Sequence, residues 1–516
     1  MYLKKRLLLA AGATLFSSQL MAAGLEITQH GVKEMGHAFA GTATLLEDAS
    51  VVANNPAGLL RLNGKQFSGG LSILHAQLDY DVKVASWRIE EKYGLEPGEV
   101  SGGGKGQSNQ LSPVPHLYYS QRLSEDSAVG IGLYVPFASG SSFPAGWAGR
   151  YHSEETSQQV ININPVYAFR ATESLSVGLG FIVQIYKAYL TNQIDVGYLV
   201  AESILQTVAD DPTKGPDVAN DLAEAVISKY GSNENYQVHN EIDLLSLTYG
   251  FNIGLLWEPR DDLRVGLNYR SGTTHIAKGK AKRDTLDKPG FKDNLVHAVA
   301  GDAGYLDNNN EPTPFAYEKL SKAFDERGAM GGDLETYVYL PQTINVSVNY
   351  QVSDTLDLMG SVNWADWSVF KEMRLQYPDD SLNGGGQIAP NDDVYYRRRD
   401  LVQPLNFKDS VRVGVAARWQ MSNKIVLRTG ASFDQSPLTD AAYRTPRGPD
   451  ADRTIFGLGG SYIWTPNTTL DLSLGSIHLA KAKVSAQENP ANTQHRAEGH
   501  SEGWITTLGL QFNHQF

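Results

Sequence analysis

From about residue 65 to the C-terminus the chain falls into segments of ten or more residues in which apolar side chains alternate with small or polar ones. A period of two marks strands with two different faces. In the last segment Trp504, Leu508, Leu510, Phe512 and Phe516 share one face, and Gly509, Gln511, Asn513 and Gln515 share the other. Val411, Val413, Val415, Ala417 and Trp419 oppose Arg412, Gly414, Ala416 and Arg418 in the same way; Leu263, Val265, Leu267 and Tyr269 oppose Arg264, Gly266, Asn268 and Arg270. About fourteen such segments are predicted. Their joins alternate strictly: short and turn-like at 122–126, 171–174, 258–262, 352–355, 421–423 and 465–468, long at 82–106, 138–157, 191–242, 278–336, 377–407, 435–452 and 483–499.

A soluble sandwich would carry Lys, Glu and Thr on its outer faces, whereas the second face here is Gly, Ser, Asn and Arg. That composition suits a polar lumen with the apolar face toward lipid, because only a closed barrel pairs every strand backbone group away from water. The expected fold is therefore all-β: a transmembrane antiparallel β-barrel of about 14 strands, with both chain ends at the short-turn, periplasmic end. Trp257, Tyr269, Trp364, Trp367, Trp419, Trp464 and Trp504 are expected in interfacial girdles. In the first segment Phe67, Leu71 and Ile73 occupy odd positions, after which Leu74, Leu78 and Tyr80 occupy even ones. Such a change of phase predicts a bulge or kink.

Composition narrows the class further. With mean hydropathy −0.31 and no run of about 18 apolar residues, a membrane helix bundle is excluded. The net charge of −13 gives no support for a nucleic-acid partner, and the absence of Cys excludes disulfides and thiolate metal sites. Residues 1–22 read as a secretory signal peptide: Lys4, Lys5 and Arg6, then an apolar stretch at 7–16, then small residues for cleavage. Such a signal points to the periplasm or outer membrane of a Gram-negative cell. Residues 23–64 have no strong period and are too few for their own core, and a lumen this wide is not filled by wall side chains alone. They are expected to form a hatch inside the barrel, turning at Asn55-Pro56-Ala57-Gly58, with a free periplasmic tail as the alternative.

The chain resembles the FadL family of outer-membrane long-chain fatty acid transporters, which includes relatives that take up aromatic hydrocarbons. The resemblance spans the mature chain: AGLEITQHG at 23–31, ASVVANNPAGL at 49–59, GRYH at 149–152, NYRS at 268–271, LPQTINVSVNY at 340–350, FKDSVRVGVAAR at 407–418, LRTGASFDQSPLTD at 427–440, PDADR at 449–453 and SEGWITTLGLQFNHQF at 501–516. It implies a fourteen-stranded barrel closed by the hatch. Ligand would be captured by outer loops, held in the lumen, and released through a kink-made gap in the wall.

A fatty acid needs an apolar channel and a cation for its carboxylate. Arg412 and Arg428, on the polar faces of adjacent strands and at Arg positions of the family pattern, are the leading candidates, with Arg418 third. The competing role is pairing with Glu26, Glu34, Glu47 or Asp48 of the hatch. The resemblance also points to Lys187 and Leu25 as ligand contacts, although strict alternation from Leu175 puts Lys187 on the apolar face. Phe143, Pro144 and Trp147, and helix-like stretches near Leu199–Ile204 and Leu222–Ile227, are candidate capture surfaces or simply pack together. Gly499-His500-Ser501-Glu502-Gly503 matches G-x-S-x-G but opens a strand rather than a strand-to-helix elbow. Gly102–Gly106 lacks phosphate-loop spacing, and Asp307–Glu311 lacks the EF-hand spacing.

The expected function is passive uptake of long-chain fatty acids, without cofactor and without need of an oligomer, in contact with outer-membrane lipid and lipopolysaccharide. The alternatives are a channel for aromatic or alkane hydrocarbons and an outer-membrane lipid hydrolase.

Overall fold

The computed structural model describes residue 26 and residues 29–86, 88–214, 216–231, 236–283, 289–326, 331–376, 401–448, 450–486 and 495–516. The signal segment and Leu25 lie outside the described residues. The wall is built of β1 (Lys65–Ser86), β2 (Lys105–Arg122), β3 (Ser127–Ser142), β4 (Glu155–Arg170), β5 (Leu175–Asp195) and β6 (Gln237–Arg260). β7 (Leu263–Arg270 and Thr273–Arg283), β8 (Gly332–Leu340 and Thr343–Ser353), β9 (Leu356–Ala365 and Glu372–Gln376) and β10 (Leu401–Pro404 and Ser410–Gln420) are each interrupted once. β11 (Ile425–Asp434), β12 (Arg453–Thr465), β13 (Thr468–Ala486) and β14 (His495–Gln515) complete it. Each strand pairs antiparallel with its sequence neighbours, and β14 returns to β1 from Gln66↔Gln515 to Ser86↔His495, so the fourteen strands close. The short joins share one end with the C-terminus, where Phe516 N donates to Lys65 O at 2.9 Å.

Alternation becomes two environments. In the half nearer the short turns the outward side chains form an apolar belt, among them Leu71, Ile73, Phe181, Val413, Val415, Leu458, Leu472, Leu508 and Leu510, all exposed. Strands of about ten residues tilted by roughly 40° cover such a belt about 25 Å high, the span of a lipid-facing barrel surface. Val415 is 66% exposed and near the middle of this belt. Val415→Arg is expected to lower folding stability in lipid by about 2–4 kcal/mol, measurable by denaturant titration in vesicles, because a guanidinium at mid-bilayer loses its hydration.

The predicted bulge in β1 is absent. Its register runs unbroken against both β2 and β14. What changes is the surroundings: beyond the belt, Gln77, Asp79, Asp81 and Lys83 point outward and are exposed, while Leu74, Leu78, Tyr80, Val82 and Val84 point inward and are buried. The barrel continues past the belt into water, where outward positions must be polar and the apolar residues turn inside. Bulges occur instead in β3, between Tyr134 and Phe137, and in β13, between Leu479 and Ala482. Trp367 is also not a girdle residue. It lies in the interruption of β9, buried against Phe137 and Phe407.

At the long-loop end α4 (Val196–Asp210) and α5 (Pro216–Tyr230) pack with α6 (Phe291–Asp302) and α7 (Pro314–Glu326), three helical turns or more each, after two short hatch helices, α1 (Val32–Gly36) and α2 (Val51–Asn54), and α3 (Arg88–Lys92). Leu199, Ile204 and Leu205 are buried among these helices with Val296, Val299 and Leu320. Their helical spacing therefore serves a small core of the loops' own, not an open apolar surface.

Candidate functional site: a plugged lumen, an apolar interior and a seam

The plug is held by shape and by charge. Asn55 caps the 3-10 turn Pro56–Arg61: its Oδ1 accepts from Ala57 N at 3.2 Å, and its Nδ2 donates to Ala43 O at 2.7 Å and Leu255 O at 2.9 Å on the wall. Pro56 lacks the N–H that the first position of a helical turn leaves unused. The glycines of the inward faces meet this segment directly. A Cβ on Gly457 would run into Met35 O, one on Gly430 into His37 O, one on Gly266 into Ala43 O, and one on Gly178 into Ala57 N. At these four positions the wall lies so close to plug backbone that it has room for no side chain.

Charge does the rest. Lys33 Nζ lies 2.8 Å from Asp48, 3.5 Å from Glu47 and 3.6 Å from Asp471 of β13. Glu47 accepts from Arg418 Nε at 2.7 Å and from Arg428 Nη2. Gln511 Nε2 of β14 donates to Asp48 at 2.9 Å. Three cations thus converge on two plug carboxylates, an arrangement that costs little while complete and much once a partner is lost.

Above the plug the interior becomes apolar. Leu74, Leu78, Tyr80, Val82, Val135, Ile455, Ile477, Leu479 and Ile505 face inward from the wall, and Phe143, Trp147 and Tyr151 fold in from the 138–157 connection. Phe143 and Trp147 stack at 4.1 Å, and both contact Tyr80 edge-on. Across the interior Tyr186, Leu190, Leu244, Val338, Leu340 and Phe407 continue the apolar lining.

The wall beside this interior has a seam. β2 and β3 pair only from Leu117↔Leu133 to Arg122↔Ala128; above that, β2 stays with β1 and β3 with β4. The sequence explains the parting. Arg122 N donates to Gly64 O on the β1 side and Leu123 N to Ser127 O on the β3 side, so odd residues of β2 aim their backbone N–H at β3. Pro113 and Pro115 are odd and have none. On β3 the bulge brackets Val135-Pro136. The seam begins within the apolar belt, since Leu111 points outward and is 66% exposed, and Ser142 N reconnects to Ser108 Oγ at its top. Glu26 makes a lone antiparallel bridge to Phe137, just past the bulge.

Comparison with known proteins decides what this assembly is. Residues 13–516 match the family described as outer membrane protein transport protein (OMPP1/FadL/TodX). The chain belongs to the FadL/TodX family. Outer membrane protein P1 of Haemophilus influenzae is 24% identical over 99% of this chain and 98% of its own length. The long-chain fatty acid transport protein of Escherichia coli is 22% identical, covering 98% of each. Among solved structures, a FadL homologue from Pseudomonas aeruginosa superposes with TM-score 0.73 at 18% identity, over 96% of this chain and all of the other. The toluene transporter TbuX of Ralstonia pickettii gives 0.53 at 15%, over 94% and 100%. The protein is thus an outer-membrane transport barrel.

Within this FadL/TodX-family barrel the sequence-predicted residues separate. Arg418 and Arg428 meet at Glu47, and Arg428 Nη1 also donates to Ser461 Oγ at 2.6 Å; both hold the plug. Arg412 lies 3.7 Å from Asp434 with its guanidinium 5.7 Å from the Phe39 ring. With Arg270, Glu26, His30, Asn345 and Asn363 it lines a cavity of about 30 Å³, which has room for about one water and none for an acyl chain. Lys187 is exposed on the outward face of β5, in phase with Phe181 and Val183, so it does not reach the lumen. Ser501 sits in extended β14 opposite Tyr80, facing inward, with no strand-to-helix elbow. The features that sequence reading missed, Lys33 and the prolines of the seam, were visible only as residue types without a register.

Proposed function

We propose that the barrel carries long-chain fatty acids passively from the long-loop, external end to the seam, where they leave sideways into the membrane. The observation that carries this reading is the apolar interior above a charge-locked plug, adjoining a gap in the wall at the height of the belt. A ligand entering from the loops meets apolar surface, is stopped by the polar plug, and has the seam as its way out. Ions and polar solutes find neither a wetted bore nor a reason to partition there. Both chain ends then lie in the periplasm, the upper wall meets lipopolysaccharide, and one chain suffices.

The relatives divide between fatty acid and toluene by name, and the length of the apolar lining, from Leu74 near the plug to Val84 and Val484 at the rim, favours an elongated ligand. A panel of oleate, decane and toluene against the detergent-purified protein tests this: oleate binding without toluene binding supports it, and the reverse selects the hydrocarbon reading. Restoring donors to the seam tests the exit. Pro113→Thr with Pro115→Thr gives β2 two N–H groups aimed at β3, and oleate uptake by cells is expected to fall severalfold while oleate binding persists. Unchanged uptake would remove the seam from the path.

A further inference from the structure

The connection between β11 and β12, described at residues 435–448 and 450–452, crosses the mouth of the barrel. Arg447 Nη2 donates to His152 O at 2.7 Å, and its Nη1 lies 3.4 Å from Thr156 Oγ1 at the start of β4. β4 stands half the ring away from β11, so these two contacts come from the opposite wall. The connection is a firm strap: Arg444 donates through Nε to Asp450 O at 2.7 Å, through Nη1 to Lys483 O at 2.6 Å, and through Nη2 to Leu438 O at 2.7 Å.

Arg447 differs from its neighbours in what it faces. Arg412, Arg418, Arg428 and Arg453 each have a carboxylate within 4 Å. Arg150 has none, but all three of its nitrogens are engaged, with Gln237, Ser101, Trp147 and Tyr151. Among the described residues Arg447 has only the carbonyl and the hydroxyl and no partner for its Nε, and it keeps accessible surface. Burial alone pushes its pKa down, to about 10, with no acid opposing the shift. It remains a cation, partly buried and, among the described residues, without a counter-ion. Its anchor at His152 adjoins Tyr151, and the strap continues to Ala451; both belong to the apolar lining that includes the Phe143–Trp147 stack. A guanidinium with unused donors at the end of an apolar interior is built for a carboxylate.

We propose that Arg447 holds the carboxylate of an elongated amphipathic ligand whose chain lies along the apolar interior. The inference rests on the uptake reading and deepens it, because a hydrocarbon gains nothing from this cation. The test compares oleate with methyl oleate, the same chain without the charge, by calorimetry on the detergent-solubilised protein. Wild type is expected to bind oleate roughly tenfold or more tightly than the ester, in line with a charge-assisted hydrogen bond. Arg447→Gln should bring oleate down to the affinity of the ester and leave the ester unchanged, and Arg447→Lys should keep part of the difference. Heat-modifiable migration in gels confirms that each variant is a folded barrel. Equal affinities for the two ligands in wild type, a measurement that needs no variant, overturn the proposal. So does an equal loss of both in Arg447→Gln, which would make the residue a strap contact only. If wild type binds toluene and neither oleyl ligand, the uptake reading itself fails.

Discussion

Glu47→Gln is expected to unseat the plug. The substitution keeps the size and shape of the side chain but removes the anion on which Arg418, Arg428 and Lys33 converge. Asp48 and Asp471 remain near Lys33, and Asp357 lies 3.3 Å from Arg418, whereas Arg428 keeps its hydrogen bond to the uncharged Ser461. Removing one member of a buried ionic cluster costs about 3–5 kcal/mol, because the cations stay desolvated without their partner. Glu47 is not fully enclosed, so the lower end of that range applies. The cost falls on the contact between plug and wall, since the strand ladder does not pass through Glu47. Planar-bilayer recording should show a near-silent wild type and frequent ion-conducting openings in the variant, with an unchanged barrel by gel mobility. A variant as silent as wild type would mean that glycine contacts and backbone bonds seat the plug unaided.

A second large effect is expected from Gly457→Val. Gly457 of β12 faces inward, where a Cβ would overlap Met35 O and lie 2.7 Å from Ala38 N. Neither atom belongs to a flexible side chain, so the plug backbone must move. Because α1 also contacts β13, and β12 is itself paired along its length with β11 on one side and β13 on the other, the wall cannot retreat without breaking paired strands. The expected outcome is a closed barrel with a displaced plug, seen as trypsin cleavage after Lys33, which the seated plug buries and wild type should protect. Gly460→Ala is the control: its Cβ meets Val426 O at 3.7 Å, an ordinary contact, and protection should persist. Cleavage in both variants, or in neither, would contradict the account of the inward glycines.

How far the sequence foretold these arrangements depends on how local the governing physics is. The strands from Val411 to Trp419 and from Trp504 to Phe516 were legible because lipid imposes one rule on every outward position. The short and long joins were legible for a related reason, since a closed meander can only alternate. The same rule misled at Leu74. The phase of β1 never changes; the solvent outside it does, and a pattern of apolar residues cannot by itself distinguish a shifted strand from a shifted environment. Arg418 and Arg428 were correctly placed on the inward face, but their partner Glu47 is more than 370 residues away in the chain, so their role depended on a contact that no spacing reveals. Lys187 shows the converse: strict alternation put it on the outward face, and that is where it lies. The seam needed both prolines and the direction of their missing N–H, which follows from the register at Arg122 and Leu123.

The most direct test of the central claim is uptake itself, in proteoliposomes or in cells whose only barrel for hydrophobic compounds is this one. Labelled oleate should enter saturably and without an energy source, while the unliganded wild-type barrel stays nearly closed to ions. A steady ionic conductance without oleate entry would show that the lumen is a water-filled pore, and the account of an apolar interior emptying through the wall would be wrong.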